Sequence, residues 1–163
     1  MGEILHQRLC RILRDEERNL RGAARKKTEG KRMNRIVARF QDGRVLKGFT
    51  SDFLPAKDHF HLFADDHAGT KSTDVHVPEL KALFFVKTFE GDPQHHKSNE
   101  APAGAALVGR CIRVVFKDEE VLVGTTQGYD RSRPGFFLVP LDPASNNERC
   151  FVVAAATKAV AFR

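Results

Sequence analysis

Residues 36–50 read IVARFQDGRVLKGFT and residues 112–126 read IRVVFKDEEVLVGTT, so the second half of the chain repeats the first. The register continues beyond these stretches, with one residue inserted, and pairs Phe60 with Phe136, Lys81 with Lys158 and Phe85 with Phe162. A self-match of this length predicts two copies of one structural unit. Residues shared by both copies are expected to build the structural unit, whereas residues found in only one copy can serve a function specific to that copy.

Each copy has the pattern of five short β-strands. In the first copy, Ile36, Ala38 and Phe40 alternate with more polar neighbours, and Asp42-Gly43 is a strong signal for a hairpin. Gly48 marks a bend in the second strand. The remaining strands are expected at residues 60–63, 75–77 and 81–87. Five short strands with a bent second strand predict a small barrel in each copy.

The chain therefore divides into four parts. We expect a basic amphipathic helix and hinge at 1–33, a first barrel at 34–89, a linker at 90–109 and a second barrel at 110–163. The linker is polar, lacks periodicity and is rich in Gly, Pro and Ala, which favours a flexible connection. An ordered strap between the barrels is the alternative.

The leading segment carries the whole excess of positive charge. Residues 1–35 contain 11 Lys or Arg and 5 Asp or Glu, whereas residues 36–163 contain 16 of each. Over residues 3–27 the apolar side chains of a helix would fall within an arc of about 120°. Arginines spaced by three and four residues would lie on the opposite face. The predicted anion-binding residues are Arg8, Arg11, Arg14, Arg18, Arg21, Arg25, Lys26 and Lys27.

An arginine stripe of this kind suits a polyanionic partner. Guanidinium groups bind phosphate oxygens in pairs, so nucleic acid or an acidic protein is the expected partner. The alternative is a solvated helix face whose apolar side packs on a barrel or on a second copy of the chain. In that case the segment would serve homo-oligomerisation.

The motifs of the chain resemble those of two kinds of protein. The turn at Gln41 to Arg44, followed by a strand that carries Gly48, resembles that of the Sm-like and SH3-like small barrels. A longer set of motifs is similar to those of an uncharacterised bacterial family: DGRVLKG at 42–48, LKALFFVK at 80–87, FEGD at 89–92, VLVGTTQGY at 121–129, RPGFFL at 133–138 and SNNER at 145–149. This resemblance implies two tandem SH3-like or Sm-like barrels behind an N-terminal α-helix. Because such proteins are sometimes associated with PilZ-type receptors, it also implies cyclic-dinucleotide binding as an alternative function.

One loop of the second copy is a candidate nucleotide site. Tyr129, Arg131 and Arg133 combine an aromatic ring with two cations, which could stack on and neutralise a nucleotide, together with Arg21 and Arg25. The alternative is an ordinary hairpin loop in which Tyr129 packs at the edge of the core. The nearby Asn146-Asn147 pair suits a tight turn with positive φ.

The sequence favours a non-enzymatic binding protein without a cofactor. It has no Gly-x-Ser-x-Gly motif and no glycine-rich phosphate loop. Histidines cluster between 59 and 96 without a recognised metal-ligand spacing, so no metal is expected. No apolar run could span a bilayer, and three dispersed cysteines fit reduced thiols in the cytoplasm.

Overall fold

The computed structural model describes residues 32–67 and 70–163, and this part of the chain is built from short β-strands. The strands are β1 (Asn34–Phe40), β2 (Val45–Thr50), β3 (His59–Phe63), β4 (Ser72–His76), β5 (Leu80–Val86), β6 (Arg110–Phe116), β7 (Val121–Thr126), β8 (Gly135–Pro140), β9 (Asn147–Val153) and β10 (Thr157–Phe162). A three-residue 3-10 helix precedes β5 at Val77–Glu79, and another precedes β10 at Ala154–Ala156. The described residues form no α-helix. No helix among them is long and apolar enough to cross a bilayer. The helix predicted at 3–27 lies outside them.

The first strand shows why these residues form a sheet. Ile36, Ala38 and Phe40 are buried, and the residues between them are partly exposed, as the alternation of side chains across a strand requires. The hairpin predicted at Asp42-Gly43 is confirmed. Gly43 has a φ of +93°, and the Asp42 carboxylate accepts the backbone N–H of Arg44 at 3.0 Å. The strand expected at 75–77 instead begins at Ser72.

The prediction of two tandem barrels is wrong. All ten strands form one antiparallel sheet in the order β10-β6-β7-β8-β9-β5-β1-β2-β3-β4. The two halves are joined where β9 pairs with β5, with Ala82 opposite Val152 and Phe84 opposite Cys150. The sheet stays open, with β4 and β10 at its edges.

The physical reason lies in β5, in which every residue is buried. A strand that is apolar on both faces needs cover on both faces, which favours a central place in a sheet. The edge strand β10, which has the corresponding place in the second half, is largely exposed or half-buried.

Two hydrophobic cores lie on opposite faces of the central strands. Because alternate residues of a strand point to opposite faces, Leu83 and Phe85 of β5 join one core, and Phe84 joins the other. The same division holds in β9, where Phe151 contributes to the first core and Cys150 to the second. Each core thus contains side chains from both halves. A fully buried Phe contributes about 1.5–3 kcal/mol, so neither half would keep its full core alone.

Candidate functional site

The residues predicted to bind anions lie outside the described part of the chain. These are Arg8, Arg11, Arg14, Arg18, Arg21, Arg25, Lys26 and Lys27. Their binding to nucleic acid, to an acidic protein or to a second copy of the chain stays a prediction.

The candidate nucleotide loop lies between β7 and β8, and its tyrosine is part of a core. The Tyr129 ring is half-buried and meets the rings of Phe136 and Phe162 edge-on, with centroids 5.0 and 5.2 Å away. Arg131 and Arg133 are exposed on the same loop. The structure therefore does not group the three side chains around one open aromatic face.

The same loop is held by its own aspartate. The Asp130 carboxylate accepts hydrogen bonds from the hydroxyl and the backbone N–H of Ser132, at 2.7 and 2.8 Å. These bonds, the hydroxyl first, hold the pKa of Asp130 below its usual value. Arg133 lies 3.8 Å from the same carboxylate. Asp130 thus offsets part of the positive charge that a nucleotide would use.

Three histidines come together on β3 and β4, each beside an acidic residue. The rings of His59 and His76 have centroids 6.3 Å apart, and those of His59 and His61 lie 6.4 Å apart. His61 Nδ1 lies 2.7 Å from Asp52, and His59 Nδ1 lies 2.8 Å from Asp58. Within residues 32–67 and 70–163, no three His, Cys, Asp or Glu side chains are placed to hold a metal ion.

A buried lysine joins the two halves, although its sequence pattern indicated only a role in building a barrel. Lys81 of β5 is 5% exposed, and its ammonium lies 2.5 Å from the Asp118 carboxylate. It also donates to Glu120, which forms an ion pair with Arg39 of β1 at 3.1 Å. The Phe116 ring lies 4.6 Å from the same ammonium. Two carboxylates of the β6–β7 turn therefore compensate the burial of one charge from the other half.

The pKa values of both carboxylates reflect this cluster. The hydrogen bond from Lys81 and then that from the Glu120 backbone N–H lower the pKa of Asp118. Burial alone would raise the pKa of Glu120, but the Lys81 hydrogen bond and the Arg39 charge outweigh it, and the pKa is lowered. Both groups stay ionised at neutral pH.

A cavity of about 270 Å³ lies beside this cluster. Its apolar lining comes from Phe84, Leu122, Val123, Leu138, Pro140 and Cys150. Its polar lining comes from Arg39, His95, Lys97, Ser98, Glu120, Asp142, Ser145, Asn146 and Asn147. The cavity thus combines side chains of both halves with residues of the connecting segment.

The connecting segment is held against the sheet by Asp142. One oxygen of the Asp142 carboxylate lies 2.7 Å from His95 Nε2 and accepts the Ser98 backbone N–H at 3.3 Å. Its other oxygen accepts the backbone N–H of Ala144 at 2.9 Å. Burial opposes ionisation of Asp142, but the two backbone donors and His95 outweigh it and keep its pKa below the usual value. These contacts hold residues 95–98 against the sheet, and we call these four residues the strap. They agree with the ordered strap that the sequence left open as the alternative to a flexible linker.

The asparagine pair has a different role from the one expected. Asn146 donates to the Thr88 carbonyl at 2.8 Å and accepts the Thr88 backbone N–H at 3.1 Å. These bonds fix the chain just after β5, where the connecting segment begins. The tight turn with positive φ predicted for this pair is wrong, because Glu119 is the one described non-glycine residue with positive φ. No local pattern could reveal Thr88, since 58 residues separate it from Asn146.

Burial keeps the cysteine that lines the cavity in its thiol form. Cys150 is almost fully buried, and burial raises the pKa of its thiol to about 12. Since the thiolate is the reactive form, this side chain acts as part of the apolar lining.

Comparison with known proteins identifies a family without an assigned activity. The model of one protein family, DUF6982, matches residues 14–162, and its description is a family of unknown function. The match carries no link to the Sm-like or PilZ-type proteins that the sequence motifs suggested. No curated protein and no solved structure matches the chain. With nearly its whole length matched, the chain belongs to the DUF6982 family of unknown function.

Proposed function

We propose that this protein is a non-enzymatic binding module whose leading segment, residues 1–35, binds a polyanion, with nucleic acid as the first candidate. The observation that carries the proposal is the division of charge. Residues 1–35 hold 11 basic and 5 acidic residues, whereas residues 36–163 are balanced at 16 of each. Long-range attraction of a polyanion must therefore come from the leading segment.

The ion pairs of the sheet support its role as a scaffold. Lys81 and Arg39 are paired with Glu120, and Lys158 is paired with Glu119 at 2.5 Å. Cations already paired with carboxylates have less to gain from a phosphate. The raised pKa of the Cys150 thiol supports a binding role over nucleophilic catalysis.

The spacing of the arginines supports phosphate as the ligand group. Six arginines recur every three or four residues between Arg8 and Arg25, and each guanidinium can donate two parallel hydrogen bonds to phosphate oxygens. Cys111 and Cys150 form no disulfide within the described residues, which supports a reducing compartment, and we propose the cytoplasm.

The alternative of a cyclic-dinucleotide receptor has weaker support. It would use the face of Tyr129, yet that ring packs against Phe136 and Phe162. Arg133 has Asp130 as a neighbour. The contacts favour a hairpin connection as the role of this loop.

Fluorescence anisotropy with labelled single-stranded RNA and duplex DNA, measured over a range of salt concentrations, tests the proposal. We expect the Arg14→Ala, Arg18→Ala, Arg21→Ala triple variant to reduce the slope of log K against log salt by about 2–3, since each of the three lost phosphate contacts removes roughly 0.7 for a single strand and 0.9 for duplex DNA.

A matched control removes the same charge from the sheet. The triple variant Lys57→Ala, Lys71→Ala, Lys117→Ala changes exposed side chains that form no ion pair with the described residues. Its slope should match that of the wild type. Equal losses in both variants would contradict a site in the leading segment. Binding to poly-L-glutamate but not to RNA or DNA would instead identify an acidic protein as the partner.

A further inference from the structure

We propose that the cavity beneath residues 95–98 is a binding site for a small organic molecule with one carboxylate and a compact apolar body. Its lining residues belong to the sheet with its turns and to the connecting segment, and the proposal does not depend on polyanion binding. Three properties of the cavity support it: its size, its apolar lining and one cation, Lys97, that forms no ion pair with a described carboxylate.

The size of the cavity limits the ligand. At roughly 30 Å³ for each water-sized group, about 270 Å³ accommodates on the order of nine non-hydrogen atoms. A benzene ring with one carboxylate is of this size. A cyclic dinucleotide is several times larger than this volume.

The lining provides an apolar surface that is already formed. Phe84, Leu122, Val123, Leu138 and Cys150 are each 6% exposed or less. They belong to four different strands of the sheet, β5, β7, β8 and β9. An apolar pocket with a few polar groups is the usual form of a small-molecule site, and strands hold such a lining more rigidly than loops do.

Lys97 is a cation of the lining that forms no ion pair among the described residues. Arg39 forms an ion pair with Glu120, and His95 is hydrogen-bonded to Asp142. Lys97 has no carboxylate partner among the described residues, and its ammonium donates to the Val121 carbonyl at 3.3 Å. Two of its three N–H groups are available to a ligand.

The charge of Lys97 acts on the cavity itself. It contributes to lowering the pKa of Glu120 and opposes the effect of burial on the pKa of Cys150. The ammonium is thus close enough to influence both the polar and the apolar lining. A ligand carboxylate could accept hydrogen bonds from this ammonium, and hydrogen bonds from a charged donor are about twice as strong as neutral ones.

Asn147 provides a second group for a carboxylate. Its backbone N–H bonds to Ser145 Oγ at 3.2 Å, but its side-chain amide has no hydrogen bond within the described residues. Asn147 lines the same cavity as Lys97, and an amide N–H there can donate to a carboxylate oxygen. Asn146 lines the same cavity, but its amide is already bonded to Thr88.

Benzoate and benzamide are suitable probes, because they share size and shape and differ in charge. Binding to the full-length protein is measured by isothermal titration calorimetry and by amide chemical shifts. We expect benzoate to bind at least about tenfold more tightly than benzamide, with the largest shifts at Ser98, Val123 and Asn147. Such a ratio is typical of one added hydrogen bond to a charged group.

The Lys97→Met variant removes the charge and keeps most of the side chain. It should lower the affinity for benzoate about tenfold, to that of benzamide, and leave benzamide unaffected. Lys117→Met is the matched control, since Lys117 is exposed and its side chain does not line the cavity. It should behave as the wild type.

Three results would overturn the proposal. One is no binding of benzoate at millimolar concentration, and another is an unchanged preference for benzoate in Lys97→Met. The third is a set of shifts centred on the smaller cavity near Ala56 and Val153. Unchanged shifts in the amide spectrum of unliganded Lys97→Met, away from residue 97, would show that the variant is folded.

Discussion

The ammonium of Lys81, on β5, lies 2.5 Å from the carboxylate of Asp118, on the turn between β6 and β7. Lys158 is the residue aligned with Lys81 in the second half, and it makes a different contact. It is exposed and pairs with Glu119 of the same turn at 2.5 Å. The same turn thus contacts both lysines. Lys81 is buried and comes from the other half of the chain, whereas Lys158 is exposed and comes from the same half as the turn.

Removal of Lys81 should therefore cost far more than removal of Lys158. Lys81→Ala leaves Asp118 and Glu120 without their shared cation and opens a gap over Phe116. We expect the free energy of unfolding in urea to fall by about 2–4 kcal/mol. Lys158→Ala removes an exposed pair and should cost about 0–1 kcal/mol. Similar losses in the two variants would mean that burial of Lys81 contributes little.

The same cluster predicts a dependence of stability on acid. The pKa values of Asp118 and Glu120 are lowered in the folded protein from usual values of 3.8 and 4.5. The unfolded chain therefore binds more protons, so the stabilisation is present above these usual values and is lost as pH falls through the lowered ones.

Urea unfolding at pH 6.0 and at pH 3.5 tests this effect. Lys81→Met removes the main cause of both shifts and keeps the packing of the stem. We expect this variant to lose less stability between the two pH values than the wild type. An equal loss would assign the acid sensitivity to other carboxylates, of which Asp142 is one whose pKa is also lowered.

The strands could be predicted from the sequence, but their assembly could not. The alternation at Ile36, Ala38 and Phe40 indicates one buried face, and Asp42-Gly43 indicates the turn, because both signals are local. Pairing between β5 and β9 depends on residues far apart in the chain. One sign of it was available, since residues 82–86 read ALFFV without alternation, which is typical of a strand buried on both faces.

The cavity was harder still to predict. Asp142 and Asn146 resemble ordinary loop residues, and their contacts with His95 and Thr88 span 47 and 58 residues. Charge counts did not reveal Lys97, because the sequence cannot show which cations are paired. The number of histidines was also uninformative, because it does not distinguish His95, which holds the connecting segment, from His59 and His61 of β3.

Two aligned glycines are predicted to be required where a neighbouring strand approaches their backbone closely. A Cβ at Gly48 would lie 2.3 Å from the Phe63 carbonyl oxygen, and one at Gly124 would lie 2.3 Å from the Val139 carbonyl oxygen. We expect Gly48→Ala and Gly124→Ala each to lower the free energy of unfolding by about 1–3 kcal/mol or more, because backbone must shift. Thermal denaturation measures the loss.

Gly128→Ala is the control for both glycines. A Cβ at this loop position would meet nothing within 4 Å, so its melting temperature should stay within about 1–2 °C of the wild type. A stable Gly124→Ala protein would mean that β7 and β8 can separate without cost.

Glu119 is predicted to be a strained position that glycine would relieve. Its φ is +68°, and the aligned residue in the first half is Gly43, with a φ of +93°. A left-handed conformation costs a non-glycine residue roughly 1–2 kcal/mol. The exposed ion pair with Lys158 stabilises the fold by less than that.

Glu119→Gly should therefore raise the melting temperature by about 2–4 °C. Glu119→Gln separates the two effects, because it removes the ion pair and keeps the side chain at positive φ. It should be neutral or slightly destabilising. If both substitutions lower the melting temperature equally, loss of the ion pair outweighs relief of the backbone conformation at Glu119.

Asp142 is predicted to control whether the strap stays closed over the cavity. Its carboxylate accepts the Ser98 backbone N–H at 3.3 Å and lies 2.7 Å from His95. Asp142→Ala removes both contacts, so the amide of Ser98 should exchange with deuterium at least about tenfold faster, a change that one lost charged hydrogen bond can produce.

Asp92→Ala is the matched control, because Asp92 lies in the same connecting segment and accepts the Gln94 backbone N–H at 2.9 Å. Exchange at Ser98 should be unchanged in this variant. Faster exchange in Asp142→Ala should spare the amides of β5 and β9, since the ladder between them does not depend on the strap. Faster exchange throughout the sheet would contradict a local role and assign Asp142 to global stability.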